Sequence, residues 1–222
     1  MVQSKVCAAF LNYKRHDLAD RMGEQLGDVD LIAFDNGGGL DYCPKGVKIT
    51  ITRPDNIYFA PGWNWAMQIL DSMRYTYVWM LNDDVEGVSP AMLQTLVEKM
   101  PEKAAAVTPP FNSPHAVFHP RGGDTREVSW FDWTCPLMRM DAWKDVGEAD
   151  ERFLGYGADL DWCKRARIKG WRFYVVEEAG AVKHLGSVTA ISQGLQGKQG
   201  SVATMNRLLK EKWGVKDWTG MV

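Results

Sequence analysis

Two adjacent carboxylates follow directly on a strongly apolar stretch of the chain. The segment YTYVWMLNDDV, residues 75–85, begins as an aromatic and aliphatic run and ends in Asn82, Asp83 and Asp84. Hard divalent cations such as Mg²⁺ and Mn²⁺ prefer oxygen ligands, and one or two carboxylates together with substrate phosphates satisfy them. The same residue types also favour turns and helix N-termini. The triplet therefore indicates either a cation site or an ordinary turn.

A second acidic pair opens a predicted helix. Asp159 and Asp161 follow two glycines in the segment ERFLGYGADLDWCKRARIKGW, residues 151–171. Because they lie two residues apart, their side chains project in different directions. The helix dipole favours carboxylates in the first turn, which gives both a structural explanation. The functional alternative is a general base held beside a cleft.

Histidines supply two further candidates. His184 ends an apolar segment, and it becomes a candidate ligand if it meets the Asp84 carboxylate in space, where a neutral imidazole could complete the coordination. The segment HAVFH, residues 115–119, has the i,i+4 spacing of a helical metal pair, but Pro114 and Pro120 bracket it and favour a loop.

Composition narrows the function classes. The 222 residues fit one large domain or a core with a small appendage, and 45% of them are hydrophobic. A formal net charge of −2 argues against a globally basic nucleic-acid surface, although the run KRARIK, residues 164–169, is either a solvated face or a contact for an anionic acceptor or diphosphate.

Ten tryptophans would mainly fill the core, with a few lining a groove. The four cysteines form no Cys-x-x-Cys pair, which argues against a zinc knuckle. Since no apolar run reaches about eighteen residues, we expect a cytoplasmic protein without a transmembrane segment.

The elements that must position these residues alternate between strand and helix. The patterns predict strands at 5–11, 29–34, 47–52, 76–81, 104–108, 130–138 and 171–176, and helices at 15–26, 63–73, 90–99, 158–169 and 201–213. Such alternation predicts a mostly parallel sheet covered on both faces, with ligands bound beyond the carboxyl ends of its strands. Asp35 and the Asn82–Asp84 triplet both fall at such ends. Residues 109–124 are predicted to be a loop, and the Gly-, Ser- and Gln-rich segment 186–200 a mobile lid.

In this order, the motifs resemble those of a GT-A glycosyltransferase of family 2, of the rhamnosyltransferase-like type. The resemblance covers roughly residues 5–187 and rests on turns and strand ends that match the family's pattern. They are Asn12-Tyr13-Lys14-Arg15, Phe34-Asp35-Asn36-Gly37-Gly38, Asn56 with Gly62 and Asn64, Leu81-Asn82-Asp83-Asp84, Ala149-Asp150-Glu151-Arg152-Phe153, Ala158-Asp159-Leu160-Asp161, Arg165, Gly170 and His184. The chain departs from the pattern at Asn82, where the stricter signature has Asp, and at Ala158, where the family usually has Glu.

The resemblance implies a site for each substrate. It implies a single GT-A domain with a nucleotide-sugar half at 1–108, an acceptor half at 109–185, and a loop and C-terminal helix at 186–222. Asp84 and His184 would hold Mn²⁺ or Mg²⁺ against the diphosphate of the donor. Asp159 would be the general base of an inverting transfer. Donor contacts would come from Asn12, Tyr13, Arg15, Asp35, Asn36, Asn64, Asn82 and Asp83, and acceptor contacts or support from Trp133, Asp161 and Arg165.

Three functions remain open at this point. The first is transfer of a sugar from a nucleoside diphosphate sugar to an acceptor hydroxyl, on a saccharide by default or on a modified nucleobase in DNA. A sugar-phosphate nucleotidyltransferase would share a related core, but residues 10–17 lack the glycine-rich loop expected to hold a triphosphate. An inactive carbohydrate-binding protein is the third, and the alanine at position 158 keeps it open.

Overall fold

A computed structural model describes residues 5–39, 41–186, 188–192 and 201–221. Within these ranges the strands are β1 (Val6–Asn12), β2 (Leu31–Asn36), β3 (Ile49–Arg53), β4 (Tyr77–Asn82), β5 (Val85–Glu86), β6 (Ala104–Thr108), β7 (Arg126–Val128), β8 (Leu137–Arg139), β9 (Arg172–Val175) and β10 (Lys183–His184). The α-helices of the same ranges are α1 (His16–Leu26), α2 (Phe59–Ser72), α3 (Pro90–Glu98), α4 (Met140–Val146), α5 (Ala158–Ile168), α6 (Val188–Ser192) and α7 (Val202–Trp213). Short 3-10 turns occupy Ala116–Phe118, Glu177–Ala179 and Trp218–Met221.

Eight strands form one central sheet in the order β3-β2-β1-β4-β8-β6-β9-β7. The first four run parallel, β8 is antiparallel to β4 and β6, β6 and β9 are parallel, and β7 closes the edge antiparallel to β9. This confirms the mixed α/β architecture. The register sets Asn12 beside Asp35 and Leu11 beside Asn82, so these strand ends share one rim, as expected for parallel strands.

Burial explains why these segments form the sheet. Every residue of β2 is buried, and β1 and β4 are buried over most of their length, as continuous apolar strands covered on both faces should be. Helix α1 buries Leu18, Met22 and Leu26, the four-residue spacing read from the sequence. Each such side chain contributes about 1.5–3 kcal/mol when fully buried.

The predicted strand at 130–138 is wrong over most of its length. Only Leu137–Arg139 form a strand, although Met80 N–H still donates to the Pro136 carbonyl at 2.9 Å and Asn82 N–H to the Thr134 carbonyl at 2.9 Å. Pro136 has no N–H to return to β4, so the ladder is interrupted there and the preceding residues run irregularly beside the strand.

Several short elements were not predicted, and one prediction begins too late. Helix α4 and strands β5, β7 and β10 were missed, and α2 begins at Phe59 rather than at residue 63. Of the predicted lid, Val188–Ser192 forms the short helix α6, whereas residues 187 and 193–200 lie outside the described residues. No helix in the described part of the chain is both long and apolar enough to cross a membrane.

Candidate active site

A cleft with a cavity volume of about 270 Å³ opens at the carboxyl rim of the sheet. Its walls come from the ends of β1, β2 and β4, the irregular segment before β8, the start of α5, and β10. Ten of the residues singled out in the sequence lie in its lining: Asn12, Tyr13, Asn36, Asn56, Asn82, Asp83, Asp84, Trp133, Asp159 and His184. The chain therefore gathers in one cleft side chains that are far apart in sequence.

One corner of the cleft joins Asp84 to His184. The two-stranded ladder of β5 and β10 pairs His184 with Val85, and the Leu185 N–H donates to the Asp84 carbonyl at 3.0 Å. This places the His184 Nε2 at 3.2 Å from the Asp84 Oδ1 and at 3.4 Å from the Asn82 Nδ2. The sequence analysis made His184 a candidate ligand on the condition that it meets the Asp84 carboxylate. A ladder of two short strands brings the two side chains together.

The charge around His184 favours its protonated form. Burial works to lower the pKa of the imidazole, but the hydrogen bond to Asp84 and the charges of Asp84, Asp132 and Asp83 outweigh burial, and the pKa is raised. A divalent cation at this corner would replace the proton on His184 as the positive charge beside the carboxylates, and it would bind the neutral imidazole.

The donor set at this corner fits a hard divalent cation. Asp84 supplies a buried carboxylate, His184 an imidazole, and the buried Oδ1 of Asn82 has no hydrogen-bond partner among the described residues. Within the described ranges no group of three or more His, Cys, Asp or Glu side chains is arranged to hold a metal. The protein would therefore supply two or three ligands, and donor phosphates and water would supply the rest, as Mg²⁺ commonly accepts.

Asp83 has hydrogen-bond partners different from those of Asp84. It accepts hydrogen bonds from the Asn12 Nδ2 at 3.1 Å and from the Thr189 Oγ1 at 3.2 Å, so it joins the end of β1 to α6. Burial and the neighbouring Asp84 charge raise its pKa to about 7, although Thr189 and Arg15 act against them. Adjacent carboxylates of one strand end therefore have different partners and different environments.

The wall across the cleft carries a second pair of carboxylates, Asp132 and Asp159. Burial, followed by the charge of Asp132, raises the pKa of Asp159 to about 7, while the Leu160 N–H donates to its Oδ1 at 2.8 Å. Burial also raises the pKa of Asp132, whose Oδ1 accepts from the Thr134 N–H at 2.8 Å. A carboxyl that titrates near neutral pH beside a cleft has the properties of a general base.

Sequence reasoning missed Asp132. It lies in the irregular segment that was predicted to be a strand, and its only signal was a carboxylate between two aromatic residues in WFDWT. Its proximity to Asp159 follows from the way this segment runs beside β4, which no local pattern reports.

A polar network supports the rim between β2 and α2. Asn36 Nδ2 donates to the Tyr58 carbonyl at 2.9 Å and to the Asn56 Oδ1 at 3.2 Å, and Asn36 Oδ1 accepts from the Ile57 N–H at 3.1 Å. Tyr58 has φ = 67°, a left-handed conformation that is uncommon for a side chain of this size. The network holds this strained residue at the edge of the cleft, just before α2 begins.

The chain is also similar to known proteins. No family model matches it. Uncharacterized proteins of Mycobacterium bovis (strain ATCC BAA-935 / AF2122/97) and Mycobacterium tuberculosis (strain ATCC 25618 / H37Rv) are 28% identical to it over 175 residues. The match covers 73% of this chain and 66%, just under two thirds, of the length of each relative.

Solved structures resemble it more extensively. A mannosyltransferase from Pyrobaculum calidifontis, in complex with GDP-Man and Mn²⁺, has a TM-score of 0.60 at 13% identity, over 82% of this chain and 57% of that one. GalNAc-T7 with UDP, GalNAc and Mn²⁺ has a TM-score of 0.61 at 8% identity, over 99% of this chain and 56% of that one. S. aureus TarS 1–349 has a TM-score of 0.61 at 10% identity, over 95% of this chain and 72% of that one. The fold is GT-A. Identities this low establish the fold alone.

Within this GT-A fold, the remaining predicted donor residues sit at or behind the rim. Tyr13 lines the cleft and packs so closely on Gly37 that a Cβ there would lie 2.4 Å from its ring. Arg15 hydrogen-bonds to Asp17 at 2.6 Å and to the Ser192 Oγ at 3.3 Å. Asp35 is fully buried, and both its oxygens accept from the Gly39 N–H at 3.0 Å. Asp35 therefore orders the turn after β2 from behind.

Three other predicted residues have structural contacts away from the cleft lining. Asn64 is buried and exchanges hydrogen bonds with the Ala149 backbone at 2.8 and 3.0 Å. Asp161 accepts from the Arg165 Nε at 3.0 Å and from the Trp213 Nε1 at 2.8 Å. Arg165 also donates to backbone carbonyls at the end of α4. Asn64 thus joins α2 to the segment after α4, and Asp161 joins α5 to α7. The contact of these three residues with a donor or an acceptor stays a prediction.

Proposed function

We propose that the protein transfers a sugar from a nucleoside diphosphate sugar to an acceptor hydroxyl, with a divalent metal ion and with inversion at the anomeric carbon. The observation that carries this proposal is the meeting of the Asp84–His184 pair and the Asp132–Asp159 pair in one cleft at the carboxyl rim of the sheet. The GT-A fold supports it, as do the Mn²⁺ with GDP-Man and the Mn²⁺ with UDP and GalNAc in proteins of similar structure.

Each wall of the cleft has a proposed task. Asp84 and His184, with Asn82 beside them, hold Mn²⁺ or Mg²⁺ against the donor diphosphate. When bound, the ion neutralises the negative charge that develops on the leaving diphosphate. Asn12, Tyr13, Asn36 and Asp83 line the donor end of the cleft, and Arg15 and Asp35 order the turns behind it. Apart from His184, these residues fall in the donor half predicted at 1–108; the acceptor half at 109–185 stays a prediction.

Asp159 is the proposed base. The acceptor oxygen attacks the anomeric carbon while its proton moves to the Asp159 carboxylate. The bond from that carbon to the diphosphate oxygen breaks, and its electron pair leaves with the nucleoside diphosphate. A pKa of about 7 lets the carboxylate accept a proton near neutral pH more readily than an exposed aspartate with a pKa of about 3.9 would.

The test measures release of nucleoside diphosphate from a panel of nucleoside diphosphate sugars with Mn²⁺. The Asp159→Asn variant should retain donor affinity and lose roughly 10²-fold or more in kcat, the scale expected when a positioned base is lost. Asp28→Asn is the matched control, since Asp28 is exposed in the turn before β2, at the opposite rim of the sheet.

Two outcomes would reject the proposal. An Asp159→Asn variant with the same turnover rate as the wild-type protein would show that Asp159 is not the general base. Donor binding without any release of nucleoside diphosphate, in the presence of saccharide acceptors, would favour the inactive carbohydrate-binding alternative.

A further inference from the structure

A second chamber adjoins the cleft across the Asp132–Asp159 pair. Its cavity volume is about 340 Å³, and it shares with the cleft both carboxylates, Phe59, Gly155 and Tyr156. A ligand in the chamber can therefore reach Asp159 from the side opposite Asp84 and His184. The volume is within the range of small-molecule sites in proteins.

The lining of this chamber is apolar and largely aromatic. Beyond the shared residues, its walls are formed by Pro114, His115, Trp130, Leu160, Met205 and Trp218. Within the described part of the chain, neither Lys nor Arg lines it, and His115 is its one basic side chain. Its acidic and basic side chains are therefore two carboxyl groups and one imidazole, with the Tyr156 phenol beside them.

That chemistry selects against anionic ligands. Phosphate groups are recognised by Arg, Lys or exposed backbone N–H groups, and nucleic acids by several phosphate-neutralising cations. The two half-buried carboxyl groups in its lining would repel a phosphate when ionised. The described lining also offers no Lys or Arg for the phosphate backbone of the modified nucleobase in DNA that the sequence left open.

Aromatic rings make the chamber suitable for a flat, partly apolar ligand. Tyr156 is 44% exposed at the boundary of the two cavities, and Trp218 is half-buried. The His115 ring lies 5.0 Å from that of Trp130 and 4.9 Å from that of Trp218, measured between centroids. The carbon-bound hydrogens on one face of a pyranose ring can lie on such surfaces while its hydroxyls point to carboxyl groups.

The C-terminal part of the chain builds the far wall. Helix α7 supplies Met205, and the Trp218 N–H donates to the Asn206 Oδ1 at 3.1 Å, which fixes the turn that carries the indole. The loop with His115 and the segment with Trp130 complete it. Three separate parts of the chain thus converge on the side of Asp159 away from the metal corner.

We propose that this chamber binds the acceptor as an uncharged pyranoside, stacked on the aromatic wall with one hydroxyl directed at Asp159. The inference rests on the proposed function for the identity of its ligand as an acceptor. Its recognition chemistry depends on the chamber alone.

The experiment measures binding without turnover. Saturation-transfer difference NMR is recorded on the whole protein with a panel of methyl pyranosides, with the corresponding sugar 6-phosphates, and with a single-stranded oligothymidylate. The variants are Trp218→Ala and Tyr156→Ala, and the control is Trp171→Ala, which removes another half-buried indole at the start of β9.

The expected result is binding of at least one methyl pyranoside, with saturation concentrated on the ring C–H groups. Affinity should fall about tenfold in Trp218→Ala or Tyr156→Ala, which corresponds to a stacking contribution of about 1.4 kcal/mol, and should not change in Trp171→Ala. Sugar 6-phosphates should bind more weakly than the pyranosides.

Several outcomes would overturn the chamber proposal. They are no binding by any pyranoside of the panel, tighter binding of the 6-phosphates or of the oligonucleotide, and unchanged affinity in both aromatic variants. Failure of the proposed function is distinguishable, because it would appear as loss of Mn²⁺-dependent donor binding while pyranosides still bind.

Discussion

Asp159 and Asp161 are two residues apart, and the structure gives them unrelated environments. Asp159 lies beside the cleft with a pKa raised to about 7 by burial and by Asp132. Asp161 is fully buried between α5 and α7 and is contacted by Arg165, Trp213 and Lys212. Because their side chains diverge around the helix, one carboxylate reaches the cleft while the other holds two helices together.

Replacing Asp161 should damage stability rather than chemistry. Asp161→Asn removes the negative charge that pairs Arg165 and Lys212, and breaking a buried pair typically costs 3–5 kcal/mol. We expect a loss of about 3 kcal/mol in the free energy of unfolding, because Lys212 keeps its contact with Asp150 at 2.8 Å. Urea unfolding of the variant measures this. A variant as stable as the wild-type protein would contradict the structural role.

Replacing Asp159 should stabilise the protein above neutral pH. The pKa of Asp159 is raised on folding, so the folded state binds a proton more tightly than the unfolded chain between about pH 4 and 7. Wild-type stability therefore falls as pH rises through this window, and above pH 7 the folded protein bears the full free-energy cost of an ionised Asp159. The Asp159→Asn variant has no carboxyl at this position and does not bear that cost.

Thermal unfolding at two pH values tests whether Asp159→Asn stabilises the protein at high pH, as expected. Asp159→Asn should exceed the wild-type Tm at pH 8, and the difference should shrink towards zero at pH 4. A variant that is less stable than the wild-type protein at pH 8 would mean that the carboxylate contributes to the fold.

At the scale of elements, short strands decide the geometry of the corner formed by Asp84 and His184. The two-residue strands β5 and β10 bring His184 to Asp84. Helix α1 supports them, since the Gln25 Nε2 donates to the Val85 carbonyl at 3.3 Å and its Oε1 accepts from the Gly87 N–H at 2.7 Å. Gln25 therefore holds strand β5, which begins directly after Asp84, and we propose it as a positioning residue for that carboxylate.

Removal of Gln25 should weaken metal-dependent binding. Groups that orient ligands are typically worth 10–100-fold in metal affinity, so Gln25→Ala should bind Mn²⁺ with GDP or UDP about tenfold more weakly. Isothermal titration calorimetry gives the dissociation constants. Gln94→Ala is the control, because Gln94 is exposed on α3 and donates to Glu98 of the same helix. Equal affinities in both variants would contradict the positioning role.

The sequence predicted the long, regular elements and the rim they create. Strands β1, β2 and β4 are continuous apolar runs, and their parallel order puts Asn12, Asn36 and Asn82–Asp84 together. It could not predict the contribution of Asp132, because Pro136 ends the ladder and the segment before it has no periodicity. Nor could it predict the structural contacts of Asn64, since the hydrogen bonds to Ala149 join residues 85 positions apart.

At the scale of the whole molecule, two cavities of different chemistry meet at one pair of carboxyl groups. The cleft at the sheet rim has the more polar lining and carries Asp84 and His184, whereas the chamber beside α7 is mostly apolar. Asp132 and Asp159 lie in the lining of both. The proposed inverting transfer would use this arrangement, because the acceptor oxygen must reach the anomeric carbon from the side opposite the leaving diphosphate.

The central claim is that Asp84 holds a divalent metal ion against a donor diphosphate. Its most direct test is isothermal titration calorimetry of nucleoside diphosphate sugars, GDP-mannose and UDP-N-acetylgalactosamine among them, with Mn²⁺ or with EDTA. The wild-type protein, Asp84→Ala and the exposed control Asp28→Ala are compared. We predict binding only with Mn²⁺, unchanged in Asp28→Ala and weakened on the order of 100-fold or more in Asp84→Ala. Wild-type affinity in Asp84→Ala, or equal binding in EDTA, would contradict the account.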